Sequence, residues 1–208
     1  ATSARPSDEA ARALALSFED AVRRNARDEA LAAIDFDAIL ARASEGVPMT
    51  DKVKRSFREG ARASWTGAAG IVPGLLATIA NGGSFTWLRL SEKDGTCTAF
   101  YRLVHADASA PEYIELVLDP RGAKAAIAVD VSTSAEGVTH ARTLRRWLLA
   151  LVADAGRTLP LRIAGEDRVF ALAGKTFETI DKAFEEGRNA DALEAWATLP
   201  AELRADPS

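Results

Sequence analysis

Two histidines, one cysteine and a few carboxylates limit the chemistry open to this chain. His105 and His140 are its only imidazoles. Either one paired with Asp130 or Glu115 would make a general acid–base unit, because imidazole titrates near neutral pH and a carboxylate can orient it. The spacing does not demand such a pairing, and a solvated or structural histidine is the better reading of each position. Cys97 stands between Thr96 and Thr98. A thiol nucleophile needs a base and a lowered pKa, and no local motif supplies either. Cys97 therefore reads as a small apolar residue. A single thiol also excludes an intrachain disulfide and a metal centre built from several thiolates. No catalytic residue, metal set or cofactor motif is assigned from the sequence.

Glu115 and Asp130 are the carboxylates of interest, because a folded sheet could place them on either side of Arg102. That arrangement keeps both ionised as a structural ion-pair network, and an acid–base pair is the competing reading. Asn81-Gly82-Gly83-Ser84 is glycine-rich but leads from a helix into a strand. Phosphate loops run from strand to helix so that their amides face the anion, so this segment reads as a helix stop. Arg142, Arg145 and Arg146 read as the solvated side of an amphipathic helix.

These groups must be positioned by helices at both ends of the chain and strands in the middle. Ser7 or Asp8 can cap a first helix carrying Leu14, Phe18, Ala21 and Val22. A second runs through Phe36, Ile39 and Leu40. A third starts at Thr50 or Asp51, carries Val53, Phe57, Ala61 and Trp65, and is expected to break at Pro73 before stopping at Asn81-Gly82-Gly83. Four segments then alternate or are rich in β-branched and aromatic residues: Ser84 to Leu90, Thr96 to His105, Glu112 to Asp119 and Ala123 to Thr133. Their short connections predict an antiparallel meander. Leu144, Trp147, Leu148, Leu151 and Val152 follow the spacing of one helical face. After an extended stretch from Gly156 through Pro160 comes a helix with Val169, Ala173, Phe177, Ile180 and Phe184. A closing helix carries Leu193, Trp196 and Ala197, with Gly187 near the turn between the two. Phe177, Ile180, Phe184 and Trp196 are expected to pack together. The fold class is α+β, with residues 1–156 forming the helices-plus-sheet module and residues 157–208 a helical hairpin.

Turn geometry supplies a register. An Asp94-Gly95 turn sets Trp87 opposite Arg102 and Phe85 opposite Val104. A symmetric second loop sets Arg102 opposite Glu115, and a Pro120-Arg121 turn sets Glu115 opposite Ala126. One face then holds Leu88, Leu90, Tyr101, Leu103, Ile114, Leu116, Ile127 and Val129 and is the core. The other is mixed, with Phe85, Trp87, Arg89, Phe100, Arg102, Tyr113, Glu115, Val117, Ala128 and Asp130. Trp87, Arg102, Tyr113, Glu115 and Asp130 are the candidate binding residues. A mixed face of this kind is a wet sheet face, a protein interface or a ligand pocket.

The composition, 48% hydrophobic and 27% charged over 208 residues, is that of a globular protein. Thirty acidic against 26 basic residues give a net charge of −4. The basic stripe of a nucleic-acid binder is absent. The apolar run Ala68 to Ala80 carries two glycines and a proline and falls short of the roughly 18–20 residues a spanning helix needs, so no membrane insertion is expected. The small residues at the start, Ala-Thr-Ser-Ala, fit a trimmed signal peptide or a cloning boundary, and export is favoured over the cytoplasm.

The runs Phe100-Tyr101-Arg102-Leu103, Tyr113-Ile114-Glu115-Leu116 and Ala128-Val129-Asp130-Val131, between helical segments, resemble the cystatin-like or NTF2-like architecture. The chain is similar to bacterial proteins in which such a module precedes tetratricopeptide-type helices. Phe177, Ala183, Gly187, Ala192 and Trp196 stand roughly where one such unit places its packing residues, although Pro200 falls early. The resemblance implies binding modules as well as small hydrolases or isomerases. The absence of a catalytic constellation and the mixed sheet face put a non-enzymatic binding module first, with a protein or small-ligand partner or a homodimer through that face, and a small hydrolase or isomerase as the alternative. The enzyme would use Asp130 or Glu115 as base, with Tyr113 or His105 nearby.

Overall fold

A computed structural model describes residues 8–68, 70–107, 110–119, 126–134, 137–155 and 166–204. The described elements are α1 (Asp8–Arg23), α2 (Arg27–Ala32), α3 (Phe36–Ser44), α4 (Asp51–Thr66), α5 (Ile71–Ala80), β1 (Ser84–Lys93), β2 (Thr96–Val104), β3 (Glu112–Asp119), β4 (Ile127–Thr133), α6 (His140–Ala155), α7 (Glu166–Glu185), α8 (Asn189–Ala197) and α9 (Ala201–Arg204). The chain divides into two compact units. One comprises residues 1–42 and 61–141, the other residues 43–60 and 142–208.

In the first unit the strands pair antiparallel in the order β1-β2-β3-β4, an open α+β sheet with helices on both sides. The β1–β2 turn forms where the sequence places it. Asp94 and Gly95 both have positive φ (52° and 76°), and Lys93 pairs with Thr96. This is the two-residue turn whose twist matches the flanking strands.

Farther from that turn the pairing departs from expectation. Leu88 is bulged out, so Trp87 faces Tyr101 and Phe85 faces Leu103, while Arg89 faces Phe100. An extra residue in one strand reverses the side-chain phase beyond it. Phe85 and Trp87 therefore belong to the inner face and Leu88, at 43% exposure, to the outer one, reversing the expected assignment of all three. The second loop is off by two residues: Arg102 lies opposite Tyr113, and Glu115 opposite Phe100. An even error keeps every side chain on its face. In β3–β4 the ladder closes on Asp119 and Ile127, so the connection is longer than a Pro120-Arg121 turn, and Glu115 pairs with Ser132 rather than Ala126. Pro120, Arg121 and the first residues expected in the fourth strand lie outside the described residues.

The inner face packs under α1. Ala11, Ala15, Phe18 and Val22 fall on one helical stripe and are all buried. The Phe18 ring meets Phe85 and Tyr101 edge-on, at 5.8 and 5.5 Å between centroids. The Tyr101 hydroxyl donates to the carbonyl of Ala15 at 3.2 Å, and burial holds its phenol above the usual tyrosine range. Leu103, Leu116, Ile114 and Val131 complete this layer and are buried. Val129 is bulged in β4, so Ala128 faces inward opposite Leu118, while Ile127, expected in the core, lies opposite Asp119 on the other face and is only partly buried.

The helix break expected at Pro73 lies earlier, between Thr66 and Ile71. Pro73 sits in the first turn of α5, where its missing N–H forfeits no helical bond. The turn before it is tight: a Cβ on Gly70 would come within 2.1 Å of the Trp65 carbonyl oxygen. Among the described residues, Asp51–Ala80 is the one stretch apolar and long enough to cross a membrane by length and composition; here it is two helices. At the far end of α5 the amides of Gly82 and Gly83 donate to the carbonyls of Ile79 and Thr78. That pair of bonds, with Gly82 at φ 87°, is the glycine-ended helix stop expected from the sequence.

The second unit is helical where described. The Thr50 hydroxyl accepts the Val53 amide at 3.3 Å and caps α4. Arg145 is not a merely solvated cation, since its guanidinium donates to the carbonyls of Ala43 and Glu45 at 3.2 and 2.7 Å, at the end of α3. On α6 the buried stripe is Leu144, Leu148, Leu149 and Val152; Trp147 and Leu151, expected in it, are exposed. Helices α7 and α8 form the expected hairpin, turned at Gly187 with φ 71°. Its core is Ala173, Ile180, Ala183, Ala192, Leu199 and Leu203, with Phe170 and Phe177 stacked beside it at 5.7 Å. Phe184 and Trp196 are exposed instead of joining it. The inward positions opposite them are held by alanines, which let the two helices approach closely.

Candidate functional site

The outer face of the sheet is built in rows that the register fixes. Arg89, Phe100, Glu115 and Ser132 form one row, and Thr86, Arg102 and Tyr113 the next. The Arg89 guanidinium lies 4.9 Å from the Phe100 ring centroid, within cation–π range. Glu115 stands on the other side of the same ring. Arg102 is exposed, Tyr113 is 43% exposed, and Phe100 and Glu115 are half-buried. The Tyr113 backbone is pinned at the rim, its amide donating to the Ser134 hydroxyl at 2.9 Å and its carbonyl accepting the Ser134 amide at 2.8 Å.

The five expected site residues thus separate. Arg102, Tyr113 and Glu115 come together on the open part of the face. Trp87 is on the inner side, half-buried, with the Arg12 guanidinium of α1 5.5 Å from its ring and its indole N–H buried without a hydrogen-bond partner among the described residues. The Trp87–Arg102–Glu115 row expected from the turns therefore does not form, and Arg89–Phe100–Glu115 takes its place. The sequence carries a sign of this. Apolar residues alternate at 85 and 87 and then resume at 88 and 90, a phase break that marks a bulge.

Asp130 shares the outer face, across from Val117, but lies at its covered end and is only 4% exposed. Its Oδ1 accepts the amides of Val131 and Ala141 at 2.9 and 3.1 Å, and its Oδ2 lies 3.8 Å from Arg42 of α3. It holds the first turn of α6, where backbone amides and the helix dipole favour an anion. His140, the next group along, is 8% exposed, packs 5.2 Å from the Trp65 ring, and has a buried Nδ1 with no hydrogen-bond partner among the described residues. Burial lowers its pKa below the ordinary histidine value, against the opposing pull of the Asp130 charge. Trp65 in turn stacks on Phe36 at 4.9 Å.

The strand β4 is buried on both faces here, and its outer edge is closed by Ala33 and Asp35, whose backbones bond to Ala128 at 3.0 and 2.8 Å. At Ala128 the edge groups are therefore already engaged. His105 lies apart, its Nε2 3.8 Å from Glu112 at the exposed end of the β2–β3 hairpin. Cys97 is half-buried and pairs with Leu118 across the strands. The chain matches no protein-family model and no curated protein sequence.

Proposed function

We propose that this chain is a non-enzymatic binding module that takes a protein partner on the outer face of β1–β3. The observation that supports this is the open patch of Leu88, Phe100, Arg102 and Tyr113 around the Arg89–Phe100–Glu115 row. Tyrosine, phenylalanine and arginine are the residues that interfaces enrich, because they bury large areas while keeping a polar end. The scaffold is read as a cystatin-like or NTF2-like module, for which α1 lying across one face of a four-stranded meander speaks. The α7–α8 hairpin is read as one tetratricopeptide-type unit.

The enzyme reading draws on Asp130 beside His140. A base must reach a substrate proton, and here the carboxylate is already engaged by two amides and Arg42 while His140 is packed against Trp65. Glu115 is half-buried on an open face beside Phe100, and no pocket among the described residues holds a substrate proton against it. Both features favour the binding reading.

Arg102→Met tests it. A surface residue with no structural duty changes stability by less than about 0.5 kcal/mol when substituted. The reading expects that result in urea melts, together with altered self-association or ligand retention in sedimentation. A loss of more than about 2 kcal/mol with unchanged oligomeric state would make this face structural.

A further inference from the structure

We infer that the occupant of the outer face is a second copy of this chain, related to the first by a twofold axis running along β2. The inference rests on the binding reading above and names the partner.

The register carries it. β2 is flanked by β1 and β3, and the flanks carry opposite charges at the same level. Arg89 on β1 and Glu115 on β3 both stand directly opposite Phe100. Rotation by half a turn about β2 exchanges the flanks, so the Arg89 of each copy comes over the Glu115 of the other. Two ion pairs then close around a pair of Phe100 rings. A twofold interface uses the same patch on both copies and must be self-complementary. This patch meets that condition because it presents one cation and one carboxylate symmetrically about an aromatic centre. Neither Arg89 nor Glu115 has an ion-pair partner among the described residues, so both charges are available. A partner of uniform sign, such as a nucleic acid, would leave Glu115 facing like charge.

The same axis brings Arg102, on β2 itself, against its own counterpart. Like charges face each other there, and this gives the interface a second signature: Arg102→Met tightens it.

Charge exchange is the test, using the full chain in sedimentation equilibrium. The wild type associates to a dimer, and R89E or E115R alone weakens it by about tenfold or more, since each places like charges in contact. An equimolar mixture of the two variants restores a dimer, as does the double variant R89E/E115R, while R102M dimerises more tightly than wild type. Circular dichroism of each variant verifies that it is folded. A wild type that stays monomeric to millimolar concentration overturns the inference, as do single variants that dimerise normally or a mixture that fails to pair. Failure of this kind is separable from failure of the binding reading. If R102M keeps full stability while the wild type is monomeric, the face is open to a different partner. If R102M unfolds readily, the face is structural and the reading itself falls.

Discussion

Arg89 and Phe100 are directly opposed across the β1–β2 pair, with the guanidinium 4.9 Å from the ring. The Asp94-Gly95 turn fixes that pairing, in an unbroken register from Lys93 to Arg89, and the bulged Leu88 shifts only the residues beyond it, setting Trp87 opposite Tyr101. Without that extra residue the alternation would run unbroken, and Arg89 would keep its partner.

That relationship makes a deletion test. Removing Leu88 takes away the unpaired residue and leaves Trp87 opposite Tyr101 and Arg89 opposite Phe100. The shortened chain should fold with at most about 1–2 kcal/mol lost. Removing Thr86 instead shifts the paired residues Ser84 and Phe85 by one and turns Phe85 out of the core. It should cost about 3–5 kcal/mol, the scale of losing a buried aromatic. Urea unfolding of the two deletions, side by side, reads the difference.

Phe18 is the centre of the inner layer, edge-on to both Phe85 and Tyr101. Phe18→Ala should destabilise the first unit by about 3–5 kcal/mol while leaving the outer face chemically unchanged. A loss under about 1 kcal/mol would mean that α1 is not the cover of this sheet.

Asp130→Ala leaves the Ala141 amide and the Arg42 guanidinium without their acceptor. A lost cap with an unsatisfied buried donor costs about 1–3 kcal/mol. Asp130→Asn, which keeps an acceptor oxygen, should recover part of that loss. Equal losses in both variants would show that the charge alone matters, through Arg42.

His140 predicts a pH dependence. Its folded pKa lies below the ordinary histidine value of 6.5, so the unfolded chain binds the proton more readily. Stability from keeping this residue neutral is complete above pH 6.5 and falls as the pH drops through that value toward the folded pKa. The groups acting on the ring are Asp130, which favours the proton, and Trp65, which packs against it. His140→Phe should flatten the fall of the melting temperature between pH 6.5 and pH 5. An identical slope in wild type and variant assigns the fall to other groups.

The elements were readable wherever chemistry is local. Asp94-Gly95 specified its turn, Asn81-Gly82-Gly83 its helix stop, and the alternation over residues 112–118 its strand with the correct inner face. Registers across Ala106–Pro111 and beyond Asp119 were not, because loop length and not residue type fixes them. Even-numbered errors left Arg102, Tyr113 and Glu115 on one face; the bulged Leu88 moved Trp87 off that face, and the bulged Val129 moved Ile127 onto it. The company kept by Asp130 was beyond reach for a different reason. Arg42, Trp65 and His140 are far from it in sequence or across a turn, and only tertiary packing brings them to it.

The chain has two tyrosines, and the fold places one on each face of the sheet: Tyr101 buried within the inner layer and Tyr113 open on the outer one. Acetylation of the two phenols, followed by mass spectrometry across a range of protein concentrations, therefore reads both faces in one experiment. The account predicts that in dilute protein Tyr113 reacts and Tyr101 does not, and that Tyr113 becomes protected as association proceeds while Tyr101 stays silent. Tyr113 reacting equally at concentrations where the chain is fully associated, or Tyr101 reacting as readily as Tyr113, would contradict it.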